Sequence, residues 1–248
     1  MTGPRSLKER LTSMDPFLHE LWQLVTQPSQ LRENLAHTVT TLGPWLTYAM
    51  LGLIVFAETG LVVTPFLPGD SLLFSAGAVC ATVESVAREE GQAPAITAWG
   101  LAAVLMGAAF LGDNLNYRIG RTIGPVAFDG RFRWLKRQHL ERTRDFFDRH
   151  GGRAVVIARF VPIVRTFAPF VAGVGQMPYG RFLAWSVGGA LLWVGSLVGA
   201  GYALGGLPWV QRHFEKVVLG IVVASLLPLA WESRHALLRL LRPGRGAQ

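Results

Sequence analysis

"ARFVPIVRTFAPFVAGVGQM", residues 158–177, sets two guanidinium groups, Arg159 and Arg165, in an otherwise apolar run, with Pro162 between them and Pro169 just beyond. The stretch 154–177 is long enough to cross a bilayer, which takes about 20 apolar residues as a helix. A plain spanning helix nevertheless fits it poorly. Pro162 removes a backbone donor and crowds the preceding turn, while Gly173 and Gly175 permit a sharp bend. Broken backbone at membrane depth survives only where it is buried in protein or faces a watered cavity. The stretch is therefore read as a re-entrant hairpin that enters and leaves on one side.

The rest of the chain agrees with a membrane setting. Half of the 248 residues are hydrophobic and 16% are charged, against roughly 25% charged in soluble domains. Apolar runs cover 45–63, 71–83, 95–111, 154–175, 182–205 and 217–231. The run 182–205 suffices to span. So does 95–117 if Asp113 and Asn114 sit near an interface, whereas 217–231 is short and needs Trp209, Lys216 and Arg234 as anchors. Arg5, Lys8 and Arg10 are followed by no apolar core with a small-residue cleavage site, so no signal peptide is expected. Phe17, Leu18, Leu21, Leu24 and Val25 recur at helical spacing and predict an interfacial helix. The lone Cys80 forms no intrachain disulfide and reads as a packed thiol.

The net charge is +8, and "RFRWLKRQHLERTR", 131–144, has the look of a nucleic-acid patch. The positive-inside rule accounts for it more simply. Ten of the 24 basic residues fall between Arg118 and Arg153 and four follow Trp231, which places both segments in the cytoplasm against anionic headgroups. No nucleic-acid partner is expected.

A second interrupted region, "AETGLVVTPFLPGDSLLFSAGAV", 57–79, holds Pro65, Pro68 and Gly69 between Glu58 and Asp70. Phe66, Pro68, Ala76 and Gly77 parallel Phe160, Pro162, Ala172 and Gly173, with two extra residues between proline and Ala-Gly in the second copy. Each copy precedes a long apolar helix, the pattern of a transporter repeat. With 118–153 and the tail both cytoplasmic, spans 182–205 and 217–233 require 154–175 to return to its own side. Counting backwards across 95–117 puts hairpin one on the opposite face. The fold expected is thus all-α: a polytopic membrane protein with two opposed re-entrant hairpins in an inverted repeat. Whether 45–63 crosses fully or forms one hairpin arm stays open. Gly195/Gly199 and Gly201/Gly205 form two GxxxG patterns that permit close helix contact.

A charge at the centre of a spanning helix costs about 2.5 to 3.5 kcal/mol, so Glu58, Asp70, Arg159 and Arg165 together would cost about 10 to 14 if isolated. That rivals the stability of a whole domain, about 5 to 15 kcal/mol. They must pair, or line a polar cavity. A guanidinium is planar, two-pronged and charged even when desolvated, so Arg159 and Arg165 on one hairpin read as an anion site suited to phosphate. Burial disfavours the charge of a carboxylate, which lets Glu58 or Asp70 take up and release protons. The histidines are scattered and no metal motif, Walker loop, G-x-G-x-x-G or catalytic triad spacing occurs, so neither metal, cofactor nor enzyme is expected. In "GDNLNYRIGRTIG", 112–124, the glycines are expected to end the helix, with Asp113 and Tyr117 as secondary candidates for substrate contact.

These motifs, E-x-G, then P-x-x-P-G-D/E, then R-F-x-P-x-x-R, resemble those of the DedA family of bacterial inner-membrane proteins, whose domain is shared with eukaryotic lipid scramblases. The likeness covers about 45–205. It implies two opposed re-entrant hairpins, a place in the bacterial inner membrane, and a link to the return of undecaprenyl phosphate across it, other members acting on other phospholipids. The charged positions important in the family match Glu58, Asp70, Arg159 and Arg165. The chain then divides into an interfacial segment, 1–42, and a DedA/VTT-like membrane domain, 43–205, with hairpin one at about 57–83, the basic loop 118–153 and hairpin two 154–177. A membrane helix with a basic tail, 206–248, ends it. The expected function is translocation of a lipid phosphate, with Arg159 and Arg165 holding the anion and Glu58 and Asp70 gating or carrying protons. A proton-driven transporter of a soluble cation, and a membrane organiser with static ion pairs, are the alternatives.

Overall fold

The computed structural model describes residues 20–24, 31–61, 69–127 and 151–221, and among these every regular element is a helix. They are α1, Leu31–Gly60; α2, Gly69–Glu89; α3, Ala98–Ala127; α4, Arg153–Ala158; α5, Pro162–Val174; α6, Tyr179–Gly205; and α7, Pro208–Arg212. Residues 214–221 are again helical. Four helices are long and apolar enough to cross a membrane, over Glu33–Gly60, Gly69–Glu89, Ala98–Gly124 and Tyr179–Gly205. Trp45, Trp99, Leu111, Ile157 and Leu192 project from the helices, each more than half exposed; such an apolar outer surface suits lipid rather than water.

Local chemistry fixes the breaks. Gly43 has φ 77°, ψ 172°, a backbone open to glycine alone, and Pro44 behind it has no N–H to miss, so α1 bends there. Thr47 Oγ1 donates to the Gly43 carbonyl at 2.8 Å. Helix α2 carries Asp70 in its first turn and Arg88 in its last, matching the helix dipole. It ends on Gly91 at φ 65°, with the Gln92 N–H donating to Ala87, the wide closing bond of a Schellman cap. The Glu84 carboxylate accepts from the Ala98 N–H at 2.8 Å and from the Tyr202 hydroxyl at 2.7 Å. The start of α3 and the end of α6 therefore lie together. At the other end, the Tyr117 hydroxyl donates to the Met177 carbonyl just ahead of α6, so α3 and α6 run in opposite directions.

Several proline and glycine readings change. The helical run is interrupted ahead of Pro162: α4 ends at Ala158, Val161 is extended, and Pro162 takes the first position of α5, where a missing N–H is harmless. Pro169 lies inside α5, and Gly173 in its last turn, without ending it. The chain turns at Gln176, φ 59°, not at Gly173. Likewise α3 does not stop at the glycines of 112–124 but continues to Ala127, so Asp113 and Asn114 occupy the middle of a helix rather than an interface. Pro65 and Pro68 fall outside the described residues, as do the basic stretch 131–144 and Phe17, Leu18 and Val25.

The glycines instead set helix contacts. A Cβ at Gly77 on α2 would strike the Val198 carbonyl of α6, one at Gly201 the Phe74 carbonyl, and one at Gly205 would overlap Ala78. A Cβ at Gly173 on α5 would strike the Tyr117 carbonyl of α3, one at Gly120 the Phe170 carbonyl, and one at Gly124 would overlap Val174. Phe74, Gly77 and Ala78 thus stand to Val198, Gly201 and Gly205 as Phe170, Gly173 and Val174 stand to Tyr117, Gly120 and Gly124, with identical spacing. Helix α1 packs along α3, and Leu24, fully buried, joins its core beside Leu35. Glu20, also buried, accepts from Thr38 Oγ1 at 2.7 Å and meets His37 Nδ1 at 2.9 Å. The segment 20–24 is thereby docked onto α1 as well as amphipathic.

Candidate functional site

Helix α1 ends where Gly60 meets the backbone of Gly112, the midpoint of α3. Glu58, in its last turn, is therefore held at mid-helix depth and is completely buried. Asp70 arrives beside it because α2 begins at Gly69. Gly69 is needed for room: any Cβ there would overlap the Glu58 carboxylate. Arg165, one turn into α5, reaches both acids, Nη2 donating to Glu58 Oε1 and Nη1 to Asp70 Oδ1.

A second ion pair lies alongside. Arg159, in the turn between α4 and α5, donates to Asp113 Oδ2 on α3, and Ser186 Oγ on α6 donates to the same oxygen at 2.6 Å. Trp193, one of the largest buried side chains, connects the two pairs. Its indole N–H donates to Asp70 Oδ1 at 2.9 Å. The guanidinium carbons of Arg165 and Arg159 lie 4.8 and 5.8 Å from its ring centroid, within cation–π range. Beneath them Asn116, wholly buried, donates from Nδ2 to the Thr59 carbonyl at 3.1 Å and the Thr166 carbonyl at 2.6 Å, tying α1, α3 and α5.

All four charges singled out in the sequence thus converge, joined by Asp113. The cluster is closed: Arg159 is 4% exposed and Arg165 7%, and each guanidinium is already gripped by a carboxylate. Of the two arrangements the sequence allowed, pairing or a polar cavity, the structure has an occluded network of pairs. Two donors remain over. Arg159 Nη1 and Arg165 Nε are buried with no hydrogen-bond partner among the described residues, and such groups are costly to leave unmet. Three carboxylates face two guanidiniums, so the fully ionised cluster carries one net negative charge. Tyr117 is not part of it. Its ring stacks on Phe182 at 4.3 Å and its hydroxyl ties α3 to Met177, a packing role.

Trp193, Ser186 and Asn116 were missed in the sequence. Ser186 and Trp193 are seven residues apart, hence on one face of α6, but nothing marks that face within a run that reads as a plain span. Asn116 stands in the polar 112–124 motif and was passed over because that motif was read as a helix end. No group of residues able to hold a metal ion occurs among the described residues.

Residues 65–203 match the VTT domain family. Protein DedA of Escherichia coli K12 is 47% identical over 196 residues, 79% of this chain and 85% of that protein. The uncharacterized membrane protein Rv0364 of Mycobacterium tuberculosis H37Rv is 42% identical over 71% of this chain and 74% of its own. The inner membrane protein YghB of Escherichia coli K12 is 36% identical over 75% and 78%. No solved structure matches the chain.

Proposed function

Since the chain belongs to the DedA family of VTT-domain membrane proteins, we propose that it is a translocase that carries a lipid phosphate, undecaprenyl phosphate in the first instance, across the bacterial inner membrane. One observation carries the reading: Arg159 and Arg165 meet Glu58, Asp70 and Asp113 level with the middles of α3 and α6, each arginine keeping a buried donor with no partner among the described residues. Arg159 and Arg165 take the phosphate in place of the carboxylates, and Glu58 and Asp70 gate the exchange and take up protons as they are displaced. The prenyl tail stays in lipid, so only the head group crosses.

The architecture proposed is a pair of opposed re-entrant hairpins in an inverted repeat. Three features support it: the matched glycine contacts of α2 with α6 and of α5 with α3, the opposite run of α3 and α6, and the end of α1 at the midpoint of α3. That last contact favours α1 as a hairpin arm over a full crossing. The basic charge of residues 118–153 and of the tail supports a cytoplasmic position for both.

The test is headgroup flipping in vesicles holding only this protein. Arg159→Ala and Arg165→Ala, folded and inserted, are expected to move labelled prenyl phosphate at least tenfold more slowly than wild type; wild-type rates in both would overturn the reading. The surplus of carboxylate favours one rival, a proton-driven transporter of a soluble cation. Uptake of such a cation unaffected by added prenyl phosphate would select it.

A further inference from the structure

The two arginines do not share one set of partners. Arg165 is latched by acids of α1 and α2, and Arg159 by Asp113 of α3, which Ser186 of α6 holds in turn. The anchors on α6, Ser186 and Trp193, are seven residues apart, about 10 Å along the axis at 1.5 Å per residue. Ser186 is the nearer to the Tyr179 end of α6, where the Gln176 side chain donates to the Arg121 carbonyl and Gly152 lies against Trp185. Trp193 lies at the midpoint of α6 and touches both guanidiniums. Each arginine has its own latch and its own leftover donor, Nη1 on Arg159 and Nε on Arg165. Gly189 on α6 leaves the Arg159 side chain space, a Cβ there lying 3.4 Å from its Nε.

We infer that the phosphate monoester occupies two successive stations, one at Arg159 once Asp113 lets go and one at Arg165 once Asp70 lets go, with Trp193 as the wall they share. This rests on the translocase reading. Each station offers a two-pronged guanidinium fork, which fits a phosphate dianion or monoanion and gives a zwitterionic choline headgroup little to bind. The Arg159 station lies nearer the end of the bundle that holds Gly152 and Gln176, and the Arg165 station beside Asp70 in the first turn of α2. Neither needs both latches released at once, so the cluster never exposes all its charges together.

A polyprenyl monophosphate carrying a diazirine beside the phosphate tests this in phosphatidylcholine vesicles, with a phosphatidylcholine diazirine as control and labelled residues mapped by mass spectrometry. Asp113→Asn frees Arg159 and is expected to raise phosphate-dependent label around Ser186 and Gly189 about tenfold, the effect of releasing one charge-assisted hydrogen bond. Asp70→Asn is expected to raise label around Gly69 and Trp193 instead. Ser186→Ala, which only loosens Asp113, should enrich the first set more weakly and serves if Asp113→Asn does not fold. The same labelled residues in the same amounts in the variants would overturn the two stations and leave the translocase standing. Label no greater than the phosphatidylcholine control, in wild type and variants alike, would overturn both.

Discussion

Helix α6 carries two GxxxG patterns that read alike in sequence and differ in the structure. Gly201 and Gly205 face α2, and a methyl group at either would run into the Phe74 carbonyl or the Ala78 backbone. Gly199 faces open space, and a Cβ at Gly195 would meet only Met106 Cε at 3.8 Å. Alanine at the first pair must push two backbones apart, an overpacking cost of about 1 to 3 kcal/mol. Alanine at the second gains helix propensity, up to about 1 kcal/mol. The two patterns should therefore separate by about 1 to 3 kcal/mol, or roughly 2 to 12 °C in melting temperature for a chain of this size. Thermal unfolding in detergent, followed by size-exclusion fluorescence, reads the difference for Gly201→Ala, Gly205→Ala, Gly195→Ala and Gly199→Ala. Gly120→Ala should match Gly201→Ala, since its methyl meets the equivalent Phe170 carbonyl. Equal losses at all four α6 glycines would refute the assignment and point to a second helix seated on Gly195 and Gly199, from another copy of the chain.

Asn116→Ala leaves the buried Thr59 and Thr166 carbonyls without their donor and is expected to cost about 2 to 4 kcal/mol, measured as a lower melting temperature in the same assay. Glu58→Gln and Asp70→Asn should separate in kind. Glu58 is fully buried beside Arg165, so its loss is expected to destabilise by about 3 kcal/mol or more, whereas Asp70→Asn should chiefly alter flipping rate; a larger melting loss from Asp70→Asn than from Glu58→Gln contradicts this division.

Much of the site was legible because the membrane makes charge conspicuous. Glu58, Asp70, Arg159 and Arg165 are too costly to stand alone in oil, so their convergence could be argued from composition alone. Asp113 was visible but misplaced, because the glycines at 112, 120 and 124 looked like helix ends. They are sites of close approach, and only the position of a second helix distinguishes the two uses of a glycine. The same confusion made Gly173 a bend, whereas the break read at Pro162 is present, with Pro162 opening the second helix. A proline at a helix start and one that breaks a helix look the same in sequence when neither flank carries a capping side chain, and α5 has no side-chain cap. Trp193 and Ser186 were silent for a different reason. In an apolar run a tryptophan or a serine costs little, so its presence demands no partner, and the partner is what gives it a role.

The close glycine contacts and the ion pairs divide the molecule differently, and the difference bears on the parts proposed for the carboxylates. Backbone-to-backbone packing ties α2 to α6, and α5 to α3, with α1 along α3. Such contacts have little slack, because packed surfaces deform in discrete steps rather than continuously. Glu58 on α1 and Arg165 on α5 therefore belong to one packed body. The links that cross to α2 and α6 include Arg165 to Asp70, Ser186 to Asp113, Tyr179 to Asn114 and the Ala98 N–H to Glu84. Trp193 to Asp70 stays within the second body. Rocking of one body on the other would strain the Asp70 bond to Arg165 and the Ser186 bond that steadies Asp113. On the translocase reading, Asp70 is the acid proposed to release Arg165; its side chain is 13% exposed, against none for Glu58, which puts it where a proton can reach it first.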